Sequence, residues 1–202
     1  MDLKPNRRDL LAAAAALSAS PAFAQEPTAV QVRMETGAGT LVIQVYPDKA
    51  PITAGNFLRY VDGKLYDGAT FYRATRVENA PEYGLVQGGL QNEPKKTLKP
   101  IAHEPTTQTG LTHKTGAISM GRHAPGTATS DFFICIGDFS YLDADPRLPG
   151  DNLGFAAFGE VVEGLDVARE ILAMPTSPTA GEGAMRGQML AKPIPILAAR
   201  RA

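Results

Sequence analysis

Three segments of the sequence carry residues that could act on a bound molecule. They are Phe71-Tyr72-Arg73, Val86-Gln87-Gly88-Gly89 and the stretch from Ser119 to Cys135. Arg73 stands within an otherwise apolar strand opening, and its guanidinium donates hydrogen bonds and stays charged at any relevant pH. Taken alone, Arg73 is equally well explained as a surface strand arginine in an ion pair, and Gln87 as a side chain that caps a β-bulge.

Familiar catalytic motifs are absent from the sequence. It contains no phosphate-cradling glycine loop, no GxSxG turn and no HExxH zinc motif. The histidines, His103, His113 and His123, fit no local metal motif, so surface or loop histidines are the preferred interpretation. Cys135 lies inside the apolar run FFICI and is predicted to be buried packing rather than a nucleophile. The sequence therefore predicts no metal site and no cofactor.

Composition predicts a single globular domain. The chain has 202 residues, of which 44% are apolar and 20% charged. The formal net charge of −1 gives no general basic field for nucleic acid or an anionic membrane. Twenty glycines and 16 prolines favour a turn-rich fold of short strands. With one cysteine, an intramolecular disulfide is impossible.

The first residues have the layout of a secretory signal peptide. Lys4, Arg7 and Arg8 form a positive start, an apolar run covers 10–19, and the AFA triplet at 22–24 fits a cleavage site. The two arginines before Asp-Leu-Leu resemble a twin-arginine export signal.

Two alternatives to export are a membrane anchor and a cytosolic amphipathic helix. The apolar run is about half of the ~20 residues that span a bilayer, and Pro21 interrupts it. We therefore expect residues 1–24 to be removed near Ala24, leaving a domain at 25–202. This domain is expected to lie in the periplasm or otherwise outside the cytoplasm, without an integral membrane anchor.

Alternating apolar residues predict a mainly β fold. A β-hairpin is predicted over 30–46, and helices over 52–62 and 165–173. Loops are predicted over 78–84, 121–130, 137–154, 174–192 and 91–116, the last with at most one short helix. Further strands are predicted at 71–77, 85–89, 118–120, 132–136, 155–161 and 194–197. About eight short strands and two helices predict a closed eight-stranded antiparallel β-barrel capped by two α-helices.

Seven motifs, in this order along the chain, resemble the cyclophilin family of peptidyl-prolyl cis-trans isomerases. They are APxTxxNFxxY (50–60), YDGxxFxR (66–73), QGG (87–89), SM…FFI (119–134), YLD (141–143), AFG (157–159) and VEG (162–164). Together they cover roughly residues 30–173. The resemblance implies the cyclophilin barrel and isomerisation of X-Pro bonds without a cofactor. It also implies proline-containing polypeptides as clients, and a monomer is expected.

The reaction itself needs few chemical groups. Amide conjugation opposes rotation about an X-Pro bond with a barrier of about 18–20 kcal/mol. A catalyst must withdraw lone-pair density from the prolyl nitrogen, enclose the proline ring and hold the rotating carbonyl. It needs no nucleophile, acid or metal.

The resemblance implies which residues form the site. Arg73 takes the position of the family's catalytic arginine. Gln87 takes the position of the family's glutamine, which bonds the substrate and holds the arginine in place. The residues implied to bind substrate are Leu85, Gly121, Arg122, Asp131, Phe133, Tyr141, Leu142 and Phe155. Of these, Leu85, Phe133, Leu142 and Phe155 would enclose the ring, and the backbone near Arg122 would hold the peptide.

Several positions depart from the better-known family pattern. Asp131 replaces a glutamine, and its carboxylate could compete with substrate for Arg73 or alter sequence preference. Arg122 replaces an asparagine and could pair with Asp131. Tyr141 replaces a tryptophan, and Phe155 replaces a histidine or tyrosine.

The segment 74–86 is longer than usual and is expected to be a longer loop. The family aromatic that packs on the proline ring is therefore not evident, and Tyr83 is the nearest candidate. Two alternatives to an efficient isomerase follow from these departures. One is a cyclophilin-like barrel that binds proline-containing peptides without useful turnover, and the other is a periplasmic chaperone.

Overall fold

Eight antiparallel strands close into a barrel. The structure is a computed structural model that describes residues 28–91 and 93–202, so the predicted leader at 1–24 lies outside the described residues. The strands are β1 (Val30–Thr36), β2 (Gly39–Val45), β3 (Thr70–Val77), β4 (Ala80–Gly89), β5 (Ala117–Met120), β6 (Phe132–Ile136), β7 (Ala156–Glu163) and β8 (Met189–Arg201). Around the barrel they follow the order β1-β2-β7-β5-β6-β4-β3-β8. The predicted eight-stranded antiparallel barrel is confirmed.

Helices pack against the barrel. The α-helices are α1 (Pro51–Asp62), α2 (Thr106–Thr109) and α3 (Leu165–Ala173). The two helices predicted from the sequence are α1 and α3, and the single turn α2 is the short helix allowed for in 91–116. Short 3₁₀ helices cover Ser140–Leu142 and Gly183–Met185. No helix in the described part of the chain is long and apolar enough to cross a bilayer.

Aromatic rings pack together in the core of the barrel. The ring of Phe57, on α1, lies 5.4 Å from Tyr66, 5.7 Å from Phe132 and 5.1 Å from Phe158, measured between centroids. All four side chains are fully buried. Tilted and edge-to-face pairs at such separations each stabilise the fold by about 0.5–1.5 kcal/mol beyond the burial of their surface. This packing fixes α1 to β6 and β7.

A carboxylate from the long loop caps the first turn of α1. Glu104 is fully buried and accepts hydrogen bonds from the backbone N–H groups of Ile52 (3.1 Å) and Thr53 (2.6 Å). The N–H groups of a first helical turn have no intrahelical partner, and negative charge there interacts favourably with the helix dipole. The loop before β5 is therefore attached to α1 by a buried side chain, a contact that no local sequence pattern indicates.

Two buried side chains, one of them on α1, hold the segment between β5 and β6. The Asn56 amide donates to the carbonyl of Thr129 at 2.6 Å, and the Tyr66 hydroxyl donates to that of Ser130 at 2.9 Å. Both donor side chains are fully buried. Asp131 follows directly, so these contacts fix its backbone.

Two predicted loops are partly strand. β4 begins at Ala80, inside the predicted loop 78–84, and only 78–79 turn between β3 and β4. Residues 81–83 are exposed, so no apolar alternation marks the strand there. β8 begins at Met189, inside the predicted loop 174–192. The expected longer loop at 74–86 is therefore wrong, because these residues extend a β-hairpin.

Candidate active site

An apolar cluster lies on the outer face of the barrel, separate from the interior core. Strand pairing places Leu85 opposite Cys135 and Gln87 opposite Phe133, and Ser119 faces Phe133 from β5. Because alternate residues of a strand point to opposite faces, these side chains share the outer face. The cluster comprises Ala117, Phe133, Cys135, Phe139 and Leu142, with Leu85 and Phe155 packed against it. It therefore contains every residue predicted to enclose a proline ring.

Backbone contacts hold the walls of the apolar cluster together. The ring of Phe155 meets that of Phe133 edge to face, with centroids 5.4 Å apart and planes at 87°. The N–H of Phe155 donates to the carbonyl of Leu142 at 2.9 Å, and the N–H of Leu142 donates to that of Phe139 at 2.9 Å. The 3₁₀ turn at 140–142 thus places Leu142 beside Phe155 and over the same patch.

A β-bulge sets Arg73 against Gln87. Phe71 pairs with Gly88, but the next pair along the hairpin is Arg73 with Gln87, which leaves Tyr72 as the extra residue. A bulge redirects the side chains that follow it. Nη1 of Arg73 donates to Oε1 of Gln87 at 2.8 Å. The two residues predicted to be catalytic are therefore in direct contact.

A second glutamine, Gln188, holds the other edge of the guanidinium. Its Oε1 accepts from Nε of Arg73 at 2.9 Å and from Nη2 at 2.6 Å. The Thr75 hydroxyl donates to the same oxygen at 2.9 Å. Gln188 lies in the predicted loop 174–192, about a hundred residues after β3, and sequence reasoning missed it because nothing local links the two.

Amides, rather than carboxylates, bind the guanidinium of Arg73 among the described residues. Burial lowers its pKa from the usual value of 12.5, and the nearby Tyr72 opposes this shift. An arginine without an acidic partner keeps its positive charge available to a bound molecule.

Asp131 stands beside the site but bonds the backbone instead of Arg73. Its Oδ1 accepts from the N–H of Gln91 at 3.0 Å, on the turn that follows β4. Gly89, at φ +140°, makes room for it, since a Cβ there would lie 2.1 Å from Oδ1 of Asp131. Burial raises the pKa of this carboxyl, although hydrogen bonds from the Gln91 and Leu90 backbone and from Ser130 and Tyr72 lower it.

The buried hydroxyl of Tyr72 responds to the charges of both Asp131 and Arg73. Burial raises the pKa of Tyr72, the Asp131 carboxylate raises it further, and Arg73 and a hydrogen bond with Gln87 lower it. Both Asp131 and Arg73 therefore act electrostatically on this buried tyrosine. Tyr72 was not predicted from the sequence to have a role.

Arg122 lies at the edge of the cluster and forms different contacts from those predicted. Its guanidinium forms a bidentate pair with Asp151, at 2.9 and 3.0 Å, and donates to the carbonyl of Gly154 at 2.9 and 2.6 Å. The guanidinium also lies over the ring of Phe155, 5.2 Å from its centroid. The predicted pair with Asp131 is therefore wrong, because the loop that follows the 3₁₀ turn at 140–142 offers a closer carboxylate.

Gly121 lies close to the side chain of Gln87. Its N–H donates to the carbonyl of Asp131 at 2.7 Å, and a Cβ on it would lie 3.2 Å from Nε2 of Gln87. The absence of a side chain leaves this backbone open beside Gln87.

Two tyrosines lie at the rim. Tyr141 is 71% exposed and packs edge to face on Phe139, with centroids 5.8 Å apart. Tyr83 is 48% exposed and lies against Gly137, which follows β6. Neither contact tests a role in binding a peptide, so Tyr83 stays a sequence-based candidate for the missing family aromatic.

His113 packs against Phe133 of the apolar cluster. Its side chain is fully buried, with Nδ1 2.6 Å from Oδ1 of Asp143 and Nε2 3.0 Å from Oγ of Ser119. Burial lowers its pKa, while the hydrogen bond with Asp143 acts in the opposite direction. A loop position was predicted, and His113 does lie in a loop, but a surface location is wrong.

Cys135 is inert packing, as predicted. It is fully buried, and burial raises the pKa of its thiol to about 12, so it stays protonated at neutral pH. Within 28–91 and 93–202, no three His, Cys, Asp or Glu side chains are grouped to hold a metal ion.

A family model supplies the name for this arrangement. The model described as cyclophilin type peptidyl-prolyl cis-trans isomerase/CLD matches residues 31–199, which is most of the chain. The chain belongs to the cyclophilin family. Peptidyl-prolyl cis-trans isomerisation is accordingly its enzymatic activity.

Curated relatives of this cyclophilin carry the same activity in their names. A peptidyl-prolyl cis-trans isomerase of Acinetobacter baylyi is 36% identical over 149 residues, 72% of this chain and 73% of the relative. Peptidyl-prolyl cis-trans isomerase A of Dickeya dadantii is 35% identical over 160 residues, 78% of both chains. Isomerase B of Escherichia coli is 34% identical over 149 residues, 72% of this chain and 85% of the relative.

A solved cyclophilin has the same fold. The crystal structure of a cyclophilin type isomerase from Cryptosporidium parvum superposes with a TM-score of 0.64 and 17% sequence identity, over 86% of this chain and 98% of that one. At this identity the likeness concerns the barrel alone.

Proposed function

We propose that Arg73 is the catalytic residue of this cyclophilin and that the apolar cluster beside it binds the proline ring. The observation that carries the proposal is the guanidinium held by neutral amide oxygens at the edge of the cluster. From there it can donate to the prolyl nitrogen. Donation draws the lone pair out of conjugation with the carbonyl and lowers the barrier of about 18–20 kcal/mol.

The ring of the proline lies on Leu85, Phe133, Leu142 and Phe155 in this mechanism. These side chains give an apolar surface but no acid, base or nucleophile, in keeping with a reaction that makes and breaks no bond. Fixing the ring lets the carbonyl side of the X-Pro bond turn while the nitrogen stays beside Arg73. Gln87 and the open backbone at Gly121 and Arg122 hold the peptide on either side.

The contacts of Asp131 favour turnover over binding alone. A carboxylate bonded to the guanidinium would cancel the charge that polarises the prolyl nitrogen. Asp131 instead accepts from the N–H of Gln91, whereas the side-chain acceptors for Arg73 are the amide oxygens of Gln87 and Gln188. The main reason to expect a barrel that binds without turnover, competition from Asp131, therefore loses its support.

The clients in this proposal are exported polypeptides with exposed X-Pro bonds. Support comes from residues 1–24, with their paired arginines, short apolar run and AFA site. Cleavage near Ala24 would release the barrel into the periplasm.

The catalytic role is tested by isomer exchange of an Ala-Pro tetrapeptide with residues 25–202. We expect fast exchange by the parent protein and exchange near the uncatalysed rate with Arg73→Ala. Arg33→Ala is the matched control, because Arg33 is an exposed strand arginine paired with Glu35 on β1. Parent-like exchange by folded Arg73→Ala would remove Arg73 from the mechanism.

Export is tested by expressing the full chain in a bacterial host and separating periplasm from cytoplasm. We expect periplasmic protein whose N-terminal residue is Gln25, and cytoplasmic precursor after the double change Arg7→Lys, Arg8→Lys. Uncleaved protein confined to the cytoplasm in both cases would overturn the assignment of exported clients.

A further inference from the structure

Gln188 makes the densest set of contacts to Arg73. One oxygen, Oε1, accepts from Nε and Nη2 of Arg73 and from the Thr75 hydroxyl, at 2.9, 2.6 and 2.9 Å. An arginine, which has no acceptor, can pair only with the oxygen end of an amide, so these contacts also fix which way the amide points. Gln87 makes one contact to the same guanidinium.

These contacts use only some of the N–H groups of the Arg73 guanidinium. A guanidinium has five N–H donors, one on Nε and two on each terminal nitrogen. Gln188 and Gln87 take three of them, on Nε, Nη2 and Nη1. Among the described residues the other two have no protein acceptor, and they belong to Nη1 and Nη2. Both terminal nitrogens thus keep one donor for a bound peptide.

The backbone around Gln188 holds the amide in place. Its N–H donates to the carbonyl of Met185 at 3.1 Å, and its carbonyl accepts from the N–H of Ala74 at 2.9 Å. The next residue, Met189, pairs with Arg73 at the start of β8. The anchor is therefore attached directly to the strand that carries the arginine.

We propose that Gln188 is a positioning residue, which orients the Arg73 guanidinium toward substrate while leaving its charge uncompensated. The inference rests on the proposed role of Arg73. A glutamate at this position could make the same two contacts, but it would neutralise the arginine. A neutral amide orients the guanidinium without neutralising its charge. Donation of a hydrogen bond to a prolyl nitrogen requires both the orientation and the charge.

The first test removes the anchor. With Gln188→Leu we expect kcat/KM for an Ala-Pro peptide to fall about tenfold or more, since a hydrogen bond to a charged group contributes about that factor. The fall should be mainly in kcat, because the apolar cluster is intact. Gln44→Leu is the matched control, since Gln44 is a half-buried strand glutamine that bonds Tyr46.

The second test keeps the contacts and changes the charge. Gln188→Glu adds an ion pair, so we expect thermal stability to be maintained while kcat/KM falls. Activity relative to the parent at the same pH should recover as acid protonates the introduced carboxylate, whereas the ratio of Gln44→Leu to the parent should stay constant. A purely structural role predicts parent activity for this stable variant, which would overturn the proposal even if Gln188→Leu failed to fold.

Arg73 variants separate this proposal from the one on which it rests. In an Arg73→Lys background, Gln188→Leu should cost much less than in the parent, because an ammonium cannot make the paired contact. Loss of activity in Arg73→Ala with parent activity in Gln188→Leu would overturn the role of Gln188 and keep that of Arg73. Parent activity in folded Arg73→Ala would overturn both.

Discussion

The imidazole of His113 lies nearly parallel to the ring of Phe133, with centroids 5.9 Å apart and planes at 16°. Phe133 belongs to the apolar cluster, so the histidine packs directly against a cluster residue. Hydrogen bonds at both ring nitrogens, with Asp143 and Ser119, set the orientation of the imidazole. The ring of Phe133 thus stacks on an imidazole that a polar network holds in place.

This network should make stability depend on pH below neutrality. Burial lowers the pKa of His113 from 6.5 despite the bond with Asp143, so the folded state favours the neutral ring. The folded state therefore has its full stability above the pKa that His113 has in the unfolded chain. This stability is lost as the pH falls from there through the lower pKa of His113 in the folded state. As the pH falls, the free energy of unfolding of the parent should therefore decrease relative to that of His113→Asn. The decrease should be at most about 1.4 kcal/mol per pH unit, which is the limit for the uptake of one proton.

Urea unfolding between pH 7 and pH 5 measures this difference. The matched control is His123→Asn, which replaces an exposed loop histidine. A parent and His113→Asn variant with parallel pH profiles would show that His113 does not titrate in this way.

Asp131 should produce the opposite pH dependence. Burial raises the pKa of Asp131 in the folded state from 3.8. The folded state therefore has its full stability below the pKa that Asp131 has in the unfolded chain, and loses stability as the pH rises through the raised pKa. An asparagine in its place would not titrate, and the amide oxygen could still accept from Gln91. We therefore expect Asp131→Asn to gain stability over the parent between pH 3.5 and pH 7, by up to about 1.4 kcal/mol per pH unit.

Thermal or urea unfolding at several pH values provides the measurement. Glu163→Gln, at an exposed carboxylate of β7, is the comparison that loses one charge without the burial. If the difference in the free energy of unfolding between the parent and Asp131→Asn stayed constant from pH 3.5 to pH 7, burial would not raise the pKa of Asp131.

Arg122 should act on the wall of the cluster rather than on the chemistry. It bonds Asp151 and the Gly154 carbonyl and covers Phe155, and its side chain is only 5% exposed. We expect Arg122→Leu to raise KM about threefold or more with little change in kcat, since a cation–π contact contributes about 0.5–1 kcal/mol or more.

Steady-state kinetics with the Ala-Pro peptide separate the two constants. Arg147→Leu is the control, because Arg147 lies in the neighbouring loop with a side chain that is 88% exposed. A fall in kcat at constant KM would instead place Arg122 among the groups that act in the transition state.

Phe57 should be among the most sensitive positions for folding. Its fully buried ring contacts Tyr66, Phe132 and Phe158, so Phe57→Ala removes contacts between α1 and two strands. We expect the free energy of unfolding to fall by about 3–5 kcal/mol. Ile52→Ala, on the exposed side of α1, is the control, and equal effects of the two changes in urea unfolding would contradict the packing described.

Local patterns were enough to predict most of the barrel. Alternating Val30, Val32 and Met34 marked β1, and the helix Leu165–Ala173 was predicted with its observed bounds. The start of β4 was missed because Pro81 and its neighbours are exposed on both faces, which removes the period that reveals a strand.

The sequence predicted most residues of the candidate site but not all of them. Motif resemblance identified Arg73, Gln87 and the four cluster residues, which the structure brings together. Gln188 was missed because its contact with Arg73 joins residues 115 positions apart.

The partner of Arg122 could not be predicted from the sequence, since the segment 137–154 contains several acidic residues and no local pattern distinguishes Asp151 from the others. The burial of His113 was missed because a lone histidine among polar neighbours carries no apolar pattern.

The closed ring of strands also limits how this protein can hold other chains. β1 pairs with β8, so each strand has a bonded neighbour on both sides. An open sheet would present unpaired N–H and C=O groups to which an incompletely folded polypeptide could add as a further strand, with aggregation as the risk. A closed barrel offers no such edge, so in the proposed mechanism a client would be held through its proline and the adjacent residues and could leave once that bond has turned.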